Sequence, residues 1–142
     1  MRINDVIHRK GSDVVTVKPD DTVERLLELL AEHRIGALVV SVDGATVDGI
    51  VSERDVVRQL HHRGASVLTG TVSEIMTTTV ETCDLDADTE SLARRMTDRR
   101  VRHIPVVHEG RLQGIVSIGD VVKQRLDELQ TERDSLVGYL QS

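Results

Sequence analysis

The stretch GIVSERDVV, from Gly49 to Val57, returns as GIVSIGDVV from Gly114 to Val122. The two copies differ only in the pair of residues between serine and aspartate, which is Glu-Arg in the first and Ile-Gly in the second. A glycine followed by β-branched residues predicts a strand, and the polar residues after it predict the start of a helix. Because this strand-to-helix junction occurs twice, the repeat has to be resolved before any motif is interpreted.

The repetition extends over almost all of the 142 residues. RIGALVVSVDG aligns with RVRHIPVVHEG, TVKPDDTVERLLELLAEH with TCDLDADTESLARRMTDR, and NDVI at 4–7 with SEIM at 73–76. Each copy has a short β-prone run (14–17 and 80–83), a helix, two β-rich runs around a turn, and a second helix. One β-α-β-β-α unit can bury little surface alone, so we expect the two units to share a core.

The predicted helices differ in length between the copies. The first helix of each copy is predicted to begin after an N-cap at Thr22 or Asp88. The last helix, predicted over 119–142, extends beyond the repeat unit and carries an apolar stripe with heptad-like spacing. The stripe consists of Val122, Leu126, Leu129, Leu136 and Leu140. The extra length favours a contact with a second copy of the chain, and the alternative is a helix that folds back over its own sheet.

Composition narrows the functional classes. The net charge of −6 repels polyanions and Tyr139 is the only Phe, Trp or Tyr residue, so nucleic acid is not an expected partner. The single cysteine, Cys83, cannot form an internal disulfide, and its apolar surroundings indicate packing. No apolar run reaches the ~20 residues of a membrane span, and the charged N-terminal residues do not match a signal peptide. We therefore expect a cytoplasmic protein with no membrane partner.

The Ser-x-x-Asp turn at each junction has two interpretations. It matches a capping box, with Ser52 or Ser117 as the N-cap and Asp55 or Asp120 in the first turn of the helix. The same groups could instead bind a nucleoside phosphate, because a helix N-terminus and a hydroxyl attract phosphate and a carboxylate accepts both ribose hydroxyls. The duplication of the junction favours the second interpretation.

These features together resemble a known family. The doubled unit, with Ile-Pro-Val-Val at 104–107 and Gly-Ile-Val-Ser-x-x-Asp at the end of each copy, is similar over residues 1–126 to a tandem pair of CBS domains, or Bateman module. The resemblance implies an α+β fold of two β-α-β-β-α CBS repeats, at 1–66 and 67–126, packed with pseudo-two-fold symmetry, plus the extended C-terminal helix. It also implies a homodimer that senses an adenine nucleotide, such as AMP, ADP, ATP or NAD(H), in clefts between the repeats.

The resemblance implies roles for individual residues. Asp55 and Asp120 would bind ribose, and Ser52 and Ser117 would help to bind phosphate. The adenine pocket would be formed by Thr16, Leu38, Thr82, Ile104 and Pro105. The first copy has valine in place of Pro105, so the two base pockets are expected to differ.

Cationic residues also distinguish the copies. Arg102 and His103 enter the strand that leads to the cleft, and Arg54 follows close after Ser52, so all three are candidate phosphate ligands. The alternative for the cations of the second copy is a solvated helix end whose charges complement the helix dipole. Since Gly119 takes the place of Arg54 in the second copy, we expect one cleft to prefer a compact mononucleotide and the other to accept a larger ligand.

No catalytic or metal-binding arrangement is predicted. Gly114 and Ser117 are one residue too far apart for a nucleophile elbow, and the adjacent His61 and His62 point to different faces of a helix. Two hypotheses remain. The chain is either a regulatory adenine-nucleotide sensor that acts on an unknown effector protein, or a structural dimerisation protein whose clefts bind nothing.

Overall fold

The computed structural model describes residues 1–11 and 14–141, and over these residues it confirms the predicted α+β fold. Its helices are α1 (Ile3–Lys10), α2 (Val23–His33), α3 (Glu53–Arg63), α4 (Thr89–Arg99) and α5 (Ile118–Gln141). Its strands are β1 (Thr16–Val17), β2 (Ala37–Val40), β3 (Gly49–Ser52), β4 (His103–His108) and β5 (Arg111–Ser117). Ser12 and Asp13 of the predicted first repeat, and Ser142 of the predicted last helix, lie outside the described residues.

Two small sheets follow the sequence repeat. In the first sheet, β2 pairs in parallel with β1 and antiparallel with β3. In the second sheet, β4 pairs antiparallel with β5. Each sheet packs against its helices through a separate cluster of buried non-aromatic side chains, so the described residues form two cores and not the shared core expected from the sequence.

The second sheet differs from the first because a proline interrupts one ladder. The strand predicted to end at Cys83 is reduced to a single parallel bridge between Cys83 and Val106. In the first sheet the ladder has one more pair, between Thr16 and Val39. Pro105 takes the place of Val39 in the second copy, and proline has no backbone N–H to donate. The predicted third strand is therefore absent from the described part of this sheet.

The first helix of each repeat begins at its predicted N-cap. Thr22 Oγ1 and Asp88 Oδ2 each accept a hydrogen bond from the backbone N–H three residues later, both at 3.1 Å, so both predictions are confirmed. The two helices also end alike, at Arg34 (φ 53°) and Arg100 (φ 55°) in the left-handed conformation. This turn directs the chain into the strand that precedes the junction.

Each core is covered by the segment that precedes the other repeat in the sequence. Ile3, on α1, is buried in the core of the second repeat, and its N–H donates to the carbonyl oxygen of Ala87 (2.9 Å). The aligned segment, residues 72–76, packs in the core of the first repeat, and the N–H of Val72 donates to the carbonyl oxygen of Asp21 (2.8 Å). The repeats thus exchange their leading segments, which we define as α1 and residues 72–76.

Only the first part of α5 packs against the rest of the chain. Val121 and Gln124 are its buried residues, whereas Leu126, Leu136 and Leu140 are 61%, 60% and 74% exposed. The apolar stripe therefore does not fold back over its own sheet. No helix in residues 1–11 and 14–141 combines the length and the hydropathy needed to cross a bilayer.

Candidate functional site

Both Ser-x-x-Asp junctions form a reciprocal cap at the start of a helix. At the first junction, Asp55 Oδ2 accepts from the N–H of Ser52 (2.8 Å), and Ser52 Oγ accepts from the N–H of Asp55 (3.3 Å). At the second, Ser117 and Asp120 form the same two hydrogen bonds, at 2.9 and 3.1 Å. The capping box given as one interpretation of the sequence is therefore present at both junctions.

The cap leaves one carboxylate oxygen of Asp55 for an outside donor. The hydrogen bonds that Asp55 accepts from the N–H and Oγ of Ser52 both use Oδ2. Within the described residues, no group donates to Oδ1. The helix N-terminus has fewer free N–H groups to donate to a phosphate, because the N–H of Glu53 already donates to the carbonyl oxygen of Gly36 (3.0 Å). A phosphate group here would depend mainly on side chains.

A cavity of about 300 Å³ opens beside the first junction, and we call it the first cleft. Ser52, Arg54 and Asp55 from the first repeat line it, together with Arg102 and His103 from the second repeat. The fold thus brings together, from two distant parts of the sequence, the residues predicted to bind ribose and phosphate on this side of the molecule.

Two further cations lie in the wall of the first cleft. Sequence reasoning did not single out Arg58, and it assigned no ligand role to Arg100. Arg58 lies one helical turn after Arg54, and this spacing, which puts both side chains on one face of α3, was the available signal. Arg100 ends α4, two residues before Arg102, and its left-handed turn is not readable from residue types alone. With Arg54 and Arg102, these residues place four guanidinium groups around the cleft within the described part of the chain.

His103 lies between the two junctions. Its ring lines the first cleft at the start of β4. Burial lowers the pKa of His103 below its ordinary value, the charges of Lys10 and Arg102 lower it further, and Asp120 and Glu53 oppose the shift. The ring is therefore neutral at pH 7 and would become protonated more readily beside a phosphate group.

The residues assigned to adenine lie away from the first cleft. Leu38 and Ile104 are 1% and 0% exposed, in the two cores, and Pro105 is buried in β4. Thr16, in β1, and Thr82, in the aligned segment, are also not among the described residues that line this cleft. Its apolar wall is formed by residues that the sequence did not single out. These are Ala37, Ile50, Val80 and Val101.

An internal cation occupies the second junction. Lys10, the last residue of α1, donates from Nζ to Asp120 Oδ2 and to the carbonyl oxygen of Ile115, both at 2.7 Å. Burial raises the pKa of Asp120, but the hydrogen bonds from Lys10 and Ser117 outweigh burial, so the pKa lies below its ordinary value. Asp120 is therefore ionised at neutral pH and already paired.

Comparison with known proteins gives one consistent result. The family model for the CBS domain matches residues 3–62 and 72–127. The chain is 35% identical to the mitochondrial CBS domain-containing protein CBSX3 of Arabidopsis thaliana, over 98% of this chain and 71% of that protein. The crystal structure of a CBS-domain containing protein from Agrobacterium tumefaciens superposes with a TM-score of 0.84 at 45% identity, covering 88% of this chain and 99% of that one. The CBS domain pair of protein MJ0100, solved with 5′-methylthioadenosine and S-adenosyl-L-methionine, superposes with a TM-score of 0.79 at 22% identity, covering 90% and 98%.

Proposed function

The chain belongs to the CBS-domain family, with the domain present twice in tandem, and from this we propose that it is a regulatory module that binds an adenine nucleotide in the first cleft. The proposal is carried by one observation. Asp55, with its open Oδ1, lines the same cavity as Arg54 and Arg102, and these two arginines come from different repeats. A ligand that contacts both repeats would favour one arrangement of them, which an effector protein could recognise.

Each part of an adenine nucleotide has a matching group in the first cleft. Oδ1 of Asp55 would accept hydrogen bonds from the ribose hydroxyls, and Arg54 and Arg102 would bind phosphate. Ser52 Oγ donates to Asp55 Oδ2 at 3.0 Å, so its donation to phosphate requires the hydroxyl to rotate. The base would pack on the aliphatic wall that includes Val80 and Val101. This is a binding arrangement, and we propose no catalytic step.

The cations favour a ligand with more than one phosphate group. Four arginines line the first cleft, at positions 54, 58, 100 and 102. They outnumber its three carboxylates, Glu53, Asp55 and Glu81, and Glu81 is paired at 2.7 Å with an arginine outside the cleft. Guanidinium groups bind phosphate oxygens in bidentate pairs. ADP, ATP and NAD(H) fit this wall better than AMP, and better than the positively charged S-adenosyl-L-methionine found in the MJ0100 structure. That structure supports adenosine compounds as ligands of the fold.

Calorimetric titration with AMP, ADP, ATP, NAD(H) and S-adenosyl-L-methionine tests the proposal. We expect the wild type to bind an adenine nucleotide and Asp55→Ala to bind it about 10–100-fold more weakly, because losing a charged hydrogen bond costs about 1.5–3 kcal/mol. Asp88→Ala is the matched control, since it also removes a helix-capping carboxylate but lies outside the first cleft. Absence of binding to the wild type, or equal binding by Asp55→Ala, would contradict the proposal.

We further propose that the module is a homodimer joined through α5. The apolar stripe of this helix is uncovered within the described residues, and a second copy supplies an identical stripe. A structural dimerisation protein with empty clefts is the second candidate function, because the capping boxes alone account for both Ser-x-x-Asp turns. A stable dimer that binds no nucleotide would favour this second candidate.

A further inference from the structure

The two junctions of the duplicated fold differ by one cation that the chain itself supplies. Lys10 forms an ion pair with Asp120, whereas Asp55 forms none within the described residues. In the alignment of NDVI with SEIM, the residue that corresponds to Lys10 is Thr79. Thr79 lines the first cleft and carries no charge. The carboxylate proposed to bind ribose is therefore open in one copy and occupied in the other.

The helix that carries Lys10 holds it in place. α1 packs so closely on β5 that a Cβ at Gly114 would lie 2.8 Å from Cδ1 of Ile7. This contact and the burial of Ile3 fix the last turn of α1 beside the start of α5. The Nζ atom of Lys10 then satisfies two acceptors at once, and its side chain remains only 37% exposed.

We propose that Lys10 is an internal competitor for ligand at the second junction, so that a nucleotide binds at Asp120 only when Lys10 has moved away. The inference rests on the proposed function and describes its regulation. A ribose hydroxyl would have to replace a charge-assisted hydrogen bond from an ammonium group, and the neutral hydroxyl is the weaker donor. One chain therefore binds one nucleotide, in the first cleft, while α1 keeps the second site closed.

Titration of Lys10→Ala with ATP and with AMP tests this inference. We expect the wild type to bind one nucleotide per chain, with binding about 10–100-fold weaker in Asp55→Ala and unchanged in Asp120→Ala. Lys10→Ala should bind a second nucleotide, and the double variant Lys10→Ala/Asp120→Ala should lose it again. Lys18→Ala is the matched control, because it removes one exposed lysine outside the first cleft and should bind as the wild type does.

The outcomes separate this inference from the proposed function. A single site in Lys10→Ala that depends wholly on Asp55 would overturn the role of Lys10 and leave the first cleft as proposed. Two sites in the wild type, one of them lost in Asp120→Ala, would also overturn it. Absence of binding by every variant would contradict the proposed function. In that case a ¹³C NMR titration tests the ion pair between Lys10 and Asp120. The pKa of Asp120 should rise in Lys10→Ala, because the substitution removes the cation that lowers it. An unchanged pKa would show that Lys10 does not pair with Asp120.

Discussion

At the scale of single residues, the two copies of the site differ in the charged groups around an otherwise similar capping box. The stretch that defines the repeat offers two such differences, Glu53 against Ile118 and Arg54 against Gly119. The larger difference is Lys10, which lies 110 residues from its partner Asp120. The cation that most alters the second junction is therefore outside the motif that identifies it.

His103 should take up a proton when a phosphate-bearing ligand binds. Its pKa is lowered below 6.5 by burial and by Lys10, so more than half of the rings are neutral at pH 6.5, and an added negative charge raises that pKa. We expect wild type to take up more protons than His103→Ala, measured as heats of ATP binding at pH 6.5 in buffers of different ionisation enthalpy. Both proteins bind the same ligand, so protonation of the phosphate itself cancels in the comparison. Equal uptake by the two proteins would exclude His103 from the phosphate site.

The sign of the folding effect of His103 follows from the same shift. A histidine whose pKa is depressed in the folded state binds fewer protons there than in the unfolded chain. Its contribution to stability is therefore present above the ordinary pKa of 6.5 and is lost as the pH falls through the folded value. A bound phosphate group would favour the protonated ring and so raise the folded-state pKa of His103. The stability lost at low pH would then be smaller.

Capping could be predicted from the sequence because it joins groups three residues apart. Ser52 and Asp55 were identified on that basis, and Arg58 could have been, from its spacing after Arg54. The apolar wall of the first cleft could not be predicted, since every residue of β2 is buried and the alternation of residue types does not show that Ala37 rather than Leu38 lines the cleft. The position of Lys10 depends on the packing of α1, which no local spacing encodes.

At the scale of the elements, the apolar stripe of α5 predicts a dimer that charge should disrupt. We expect Leu129→Glu/Leu136→Glu to convert a dimer to a monomer in sedimentation equilibrium, because it places two carboxylates in the proposed interface. Both side chains are substantially exposed in the single chain, so its own folding should change little. Thr131→Glu/Ser135→Glu adds the same charge on the opposite face of the helix and should remain dimeric. A monomeric wild type, or an unchanged dimer in the leucine variant, would contradict the interface.

One predicted strand shows that residue pattern alone does not determine the length of a strand. The predicted strand over 80–83 was inferred from its β-prone residues, but its extent depends on the partner strand, where Pro105 cannot donate. Cys83 forms the one bridge that remains, and burial raises the pKa of its thiol to about 11. The thiol is therefore protonated at neutral pH, in agreement with the packing role expected from its surroundings.

At the scale of the whole molecule, we expect the leading segments to contribute strongly to the free energy of unfolding although they are short. Ile3 is 0% exposed in the core of the second repeat, so we expect Ile3→Ala to lower the free energy of unfolding by about 2–5 kcal/mol. Urea denaturation followed by circular dichroism measures this change. Val42→Ala, at a residue that is 60% exposed, should change stability by no more than about 0.5 kcal/mol. Similar values for the two variants would show that α1 is not an essential part of the core.

The duplication and its order of elements could be predicted from the sequence, but the exchange of leading segments could not. NDVI and SEIM carry similar apolar patterns, so either segment could cover either core. Only the three-dimensional packing, which buries Ile3 under the second repeat and Val72 under the first, determines the choice.

This exchange bears on how the fold could have arisen. In a protein with a single unit, part of the core would be exposed to solvent unless two molecules exchanged their leading segments by domain swapping. Duplication within one gene would convert such a contact, which depends on concentration, into one within a single chain. When each repeat has its own coding sequence, residues in one repeat can be substituted independently of the other. One could acquire a lysine beside its aspartate while the other kept its aspartate open.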